Sequence, residues 1–109
     1  MENHSLILAS TSEIRRKLAS KFDSSIKFYS PTADEDALKK TLQGMEPAQL
    51  CYELAKAKSL SINHEFPNHL VLGCDQICLL ENKIFSKPRT VDRAIHQLKE
   101  LSGKTHYLI

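Results

Sequence analysis

No stretch of this 109-residue sequence is apolar for long enough to cross a bilayer; the longest hydrophobic run falls far short of the roughly 18 to 20 residues a span needs. Glu2, Asn3 and His4 lead straight into a short strand-like run, so the apolar core of a signal peptide is lacking too. A soluble, cytoplasmic chain with no membrane partner is expected. An excess of one charge is also missing. Fifteen Lys and Arg against 13 Asp and Glu leave a formal net charge of +2, too mild a field to imply a nucleic-acid partner. Cysteine is restricted to Cys51, Cys74 and Cys78, an odd number at no disulfide-framework spacing, and the Cys-x-x-x-Cys pair reads as two small buried hydrophobes. There is no Gly-rich linker, internal repeat or low-complexity tract. One small domain over 1–109 is expected, able to bury on the order of two-thirds of its unfolded surface.

What is present alternates between strand-like and helix-like segments. Ser5 to Ala9 is a continuous apolar run, the pattern of a strand buried on both faces. Ile14, Leu18 and Phe22 then recur at four-residue intervals, which predicts an amphipathic helix. Ile26 to Tyr29 reads as a second strand, and the acidic 33–36 with the polar stretch up to Gly44 reads as a loop holding at most one helical turn at Asp36 to Leu42. Pro47 sits where a helix favours its first residue, and that helix should run to about Asn63. A third strand is expected over His69 to Leu80, turning at Glu81-Asn82-Lys83 into a short partner at Ile84-Phe85. Val91, Ala94, Ile95, Leu98 and Leu101 mark a last helix capped by Gly103, and "THYLI" begins a strand. The class is α/β with a mainly parallel or mixed sheet.

Chemistry gathers at four places. In "ASTSEIRRK" three hydroxyls and three cations surround a strand-to-helix junction. The free N–H groups and dipole of such a terminus attract phosphate: Ser10 and Ser12 would touch its oxygens, and Arg15 and Arg16 would neutralise them. Ordinary capping explains the same residues about as well, since Ser10-x-x-Glu13 matches a capping box. Lys58 falls on the buried stripe of its helix with Cys51, Leu54, Ala55 and Ile62, so it either snorkels to the surface or meets an anion. Asp75, in "GCDQICLL", is a carboxylate inside an apolar strand, and desolvating it without a partner costs several kcal/mol. Strand alternation puts Gly73, Asp75 and Ile77 on one face and Gln76 on the other, with Gly73 leaving room for a close approach to the backbone. A divalent cation with substrate phosphates would satisfy the acid, as would a buried salt bridge. Lys87, just before Pro88, is by itself a loop lysine.

Together these stretches resemble the Maf-like nucleoside triphosphate pyrophosphatases. That family's pattern runs "LILASxSxxRRxLL", an acidic "DE", "LAxxKA", "GxDxx", "GKP" and "LSG". The counterparts here are Leu6 to Leu18, Asp34-Glu35, Leu54 to Ser59, Gly73 to Gln76, Lys87-Pro88 and Leu101 to Gly103, in order across nearly the whole chain.

The resemblance implies an elongated mixed sheet flanked by helices, related to the inosine triphosphate pyrophosphatases, of which this chain corresponds to the N-terminal half with the C-terminal half absent. It implies cleavage of a nucleoside triphosphate to the monophosphate and pyrophosphate, assisted by Mg²⁺ or Mn²⁺ at Asp75 and Glu35. Ser10, Ser12, Arg15, Arg16, Lys58 and Lys87 would hold the triphosphate, and Asp75 would be the catalytic carboxylate, binding metal or acting as base. "GxDQxCxL" resembles the branch acting on 7-methyl-GTP, whereas "GADT" marks members acting on dTTP and UTP; Gln76 and Ile14 are the implied specificity positions. The chain departs from the pattern at Glu13, where proline is usual, and at Ser86, where glycine is usual. A homodimer is one way to cover the sheet edge this portion exposes. A rival expectation is a non-catalytic module that binds nucleotide or a protein partner.

Overall fold

A computed structural model describes residues 5–109. Its elements are β1 (Leu6–Ala9), α1 (Glu13–Phe22), β2 (Lys27–Tyr29), α2 (Glu35–Thr41), α3 (Pro47–Asn63), β3 (Leu70–Gly73), β4 (Cys78–Leu80), β5 (Lys83–Phe85), α4 (Val91–Leu101) and β6 (Tyr107–Leu108). The body is elongated, 52 × 31 × 23 Å. The strands form two three-stranded sheets rather than one: a parallel sheet ordered β2-β1-β3 and an antiparallel sheet ordered β5-β4-β6.

Local chemistry explains most boundaries. The apolar run of β1 makes it the central parallel strand, with Ile7, Leu8 and Ala9 all at most 3% exposed. Pro47 opens α3 at a position whose N–H would lack an intrahelical partner anyway. Gly103, at φ +73°, follows the Ser102 cap of α4 in the left-handed region that ends helices. α3 packs across β1 and β3. One core cluster joins Ile7, Ala9 and Ile62; a second joins Leu50, Leu54 and Ile77, with Leu38, Leu42 and Met45 packed against it.

Two expectations are corrected. The single strand over 69–80 is two strands in different sheets, so Asp75 lies in the connection 74–77 and not within a strand. Ile77 supplies the reason: it enters the second core cluster at 4% exposure, and its N–H and C=O pair with the O and N of Ile109 at 2.9 Å each. The backbone thus leaves the parallel sheet without orphaning those two polar groups. The stretch read as a loop with at most one helical turn is instead the seven-residue helix α2, capped by the Asp34 side chain. The apolar stripe of α1 is open, with Ile14, Leu18 and Phe22 72%, 60% and 88% exposed. Among the described residues, no helix is long and apolar enough to cross a membrane.

Candidate functional site

The β1–α1 turn is built by its own hydroxyls and one arginine. Ser10 is buried; its N–H donates to Tyr29 O at 3.1 Å and its Oγ accepts from the Ser12 N–H at 3.1 Å. Ser12, not Ser10, caps α1 by accepting from the Arg15 N–H at 3.3 Å. The Ser10-x-x-Glu13 capping box is therefore unused, and Ser10 Oγ instead braces the turn. Arg16 Nε donates to the Ser10 carbonyl at 2.8 Å, and its guanidinium lies 5.5 Å from the centre of the Phe28 ring. These contacts tie Arg16 to the scaffold. Arg15 points the other way, donating from Nη1 to the Cys74 carbonyl at 3.1 Å, and so fastens the turn to the segment carrying Asp75.

Asp75 has a protein partner. Lys58 Nζ lies 3.1 Å from Asp75 Oδ1, 2.8 Å from Glu35 Oε1 and 3.4 Å from the Cys74 carbonyl oxygen. Lys58 occupies the buried stripe of α3 with Leu50, Leu54 and Ile62, and meets anions instead of snorkelling. Burial works against its charge, but the two carboxylates outweigh it and push the Lys58 pKa above the ordinary lysine value. Burial likewise opposes ionisation of Glu35, yet the Lys58 ammonium, aided by Lys39 and Lys87, holds that carboxyl below its ordinary range. Glu35 is placed by α2, whose N-cap Asp34 accepts from the Ala37 N–H at 3.1 Å.

Gly73 makes this meeting possible. A Cβ there would stand 2.0 Å from the Ala55 carbonyl oxygen and 3.0 Å from Ser59 N. The close approach read from the sequence is therefore that of the α3 backbone, one turn from Lys58.

A cavity of about 630 Å³ brings most of the expected residues together. Ser10, Ser12, Arg15, Glu35, Lys58, Asp75, Gln76 and Lys87 all line it, with Leu42, Met45, Leu50 and Leu54 among its apolar lining. Gln76 and Asp75 share the cavity despite their expected opposite faces, because strand alternation does not operate in the connection 74–77. Arg16 and Ile14 are not on its wall. Ile14 is turned out on the exposed side of α1, and Arg16 is taken by Ser10 O and Phe28. Ser86 needs no left-handed backbone: among the described non-glycine residues only Glu81 has positive φ, +54°. Lys39, Arg89 and Gln97 also line the cavity and were not singled out from the sequence. A usable signal existed for Lys39, one helical turn after Glu35, and for Arg89, which directly follows Lys87-Pro88.

Among the described residues, no group of three or more His, Cys, Asp or Glu gathers that could hold a metal ion. Glu35 and Asp75, drawn together on one ammonium, are nevertheless the donor set Mg²⁺ uses when substrate phosphates supply the remaining oxygens. The pair fits a cation that shares its ligands with a nucleotide.

Comparison with known proteins points to the same family. The chain is 39% identical over its full length to a nucleoside triphosphate pyrophosphatase of Ruegeria sp. (strain TM1040), covering 55% of that protein. It is 42% identical over 90% of its length to a 7-methyl-GTP pyrophosphatase of Aliivibrio fischeri, covering 49% of it. A nucleoside triphosphate pyrophosphatase of Legionella pneumophila (strain Philadelphia 1) is 32% identical over the full chain, which covers 54% of it. The chain thus spans about half the length of these curated relatives. With residues 5–109 matching the family model described as Maf-like protein, on a mixed α/β fold whose motifs converge on one cavity, the chain belongs to the Maf-like family.

Proposed function

We propose that the cavity takes a nucleoside triphosphate and supports its hydrolysis between the α- and β-phosphates, giving the monophosphate and pyrophosphate. The observation that carries this reading is the convergence of a phosphate-type turn, two further lysines and a pair of carboxylates on one cavity. Ser10 and Ser12 offer hydroxyls at the start of α1, where the helix dipole favours anions. Arg15, Lys58 and Lys87 neutralise phosphate oxygens, and Asp75 stands beside them to orient or deprotonate the attacking water. Mg²⁺ or Mn²⁺, held by Asp75 and Glu35, would supply charge screening for the leaving pyrophosphate. Arg16 supports the turn by donating from Nε to the Ser10 carbonyl.

For the base, we favour 7-methyl-GTP over dTTP and UTP. Support comes from the 42% identical relative that carries that name and from Gln76, whose amide lines the cavity and can pair with a base edge. Pyrophosphate release from 7-methyl-GTP, UTP and dTTP with Mg²⁺ tests the reading. Turnover fastest with 7-methyl-GTP and lost in Asp75→Asn, which keeps the side-chain volume, is the expected result. Nucleotide binding with no turnover of any of the three substrates would instead identify a non-catalytic nucleotide-binding module.

A further inference from the structure

An ammonium has three protons to donate, and Lys58 Nζ has three acceptors around it: Glu35 Oε1 at 2.8 Å, Asp75 Oδ1 at 3.1 Å and Cys74 O at 3.4 Å. It therefore stands between the two carboxylates that a divalent cation would need. Nor can its stem swing far, because Leu54 and Ile62, on the adjacent turns of α3, are 1% and 2% exposed and Lys58 itself only 8%. A cation held by both acids would sit close to this fixed positive charge, and like charges repel strongly where water is scarce. The lysine is a tethered ion in the place of a free one.

We propose that Lys58 keeps the Glu35–Asp75 pair closed to free divalent metal, and that the phosphates of an incoming nucleotide open it by drawing the ammonium onto their own oxygens. Metal and nucleotide then enter together. This rests on reading the cavity as a metal-assisted nucleotide site and adds to it an order of binding. Before ligand arrives, Lys58 prevents the two acids from repelling each other and links α2 to α3. Once phosphate takes the ammonium, the freed acids and the phosphate oxygens form one set of ligands. Arg15 keeps the exchange local, since its own bond to the Cys74 carbonyl holds the connection carrying Asp75 when Lys58 lets go.

Mn²⁺ binding to the intact chain, followed by electron paramagnetic resonance, tests the order. Mn²⁺ is added alone and with an α,β-methylene nucleoside triphosphate, which resists cleavage between those phosphates. Wild type should bind Mn²⁺ roughly tenfold or more tightly with the analogue, after correction for Mn²⁺ held by the analogue in solution. Lys58→Gln should bind Mn²⁺ alone about tenfold or more tightly than wild type does, while Lys58→Arg, which keeps the charge, stays weak. Equal affinity of wild type and Lys58→Gln for Mn²⁺ alone overturns the gate and leaves the metal site standing. If calorimetry shows the analogue bound while neither protein takes up Mn²⁺, the metal reading fails and the gate fails with it. The wild-type arm does not depend on any variant folding: Mn²⁺ affinity unchanged by the analogue overturns the proposal by itself.

Discussion

Asp75 is tolerated beside the core because its charge is answered. Its side chain is 14% exposed and that of Lys58 10%, a depth at which removing one partner of a pair typically costs about 3 kcal/mol or more. The sequence marked each residue as a misplaced charge, but the distance of 17 positions between them concealed that each answers the other. The pair and Glu35 also set a pH window. Glu35 is held below its ordinary value of 4.5, so its contribution is present above that pH and disappears as the pH falls through the lower folded value. Lys58 is shifted upward, so its contribution is complete below its ordinary value of 10.5 and disappears only as the pH rises past the folded value above it. Thermal melts should therefore show wild type losing stability below pH 4.5 more steeply than Glu35→Gln, which has no carboxylate there to protonate.

At the scale of elements, the contact of α3 with β3 sets the site. Gly73 ends β3 against the α3 backbone, and only a missing Cβ allows the helix to bring Lys58 over the connection that carries Asp75. Gly73→Ala forces Ala55 and its turn away from a 2.0 Å clash with backbone. Urea denaturation should show a loss of about 1–3 kcal/mol, the usual range for overpacking, together with weaker nucleotide binding as Lys58 moves off Asp75. Helix limits were readable from the sequence because they follow local chemistry: Pro47 at the start of α3, Gly103 after α4, an apolar repeat of three to four residues in each. The break between β3 and β4 was not. An unbroken apolar run looks the same whether it crosses one sheet or passes between two, and only Ile77's place in a distant core cluster decides it.

Across the whole molecule, two apolar faces stay open. Ile14, Leu18 and Phe22 on α1, and Val91, Ile95 and Leu98 on α4, range from 47% to 88% exposed. Because Phe22 touches little in the single chain, at 88% exposure, Phe22→Glu should change its stability in urea denaturation by no more than about 0.5 kcal/mol.

By itself the sequence determined most of the strands and helices, the hydroxyl-rich turn, and the two charges out of place among apolar neighbours. Each is written in residues within a turn or two of one another, where propensity, capping and periodicity act. Tertiary structure alone decided which residues share the cavity: it turned Arg16 into a brace for Ser10, left Ile14 outside, and set Lys58 between Glu35 and Asp75. Those outcomes depend on how closely α2, α3 and the 74–77 connection approach, and that distance is fixed by packing between segments far apart in the chain.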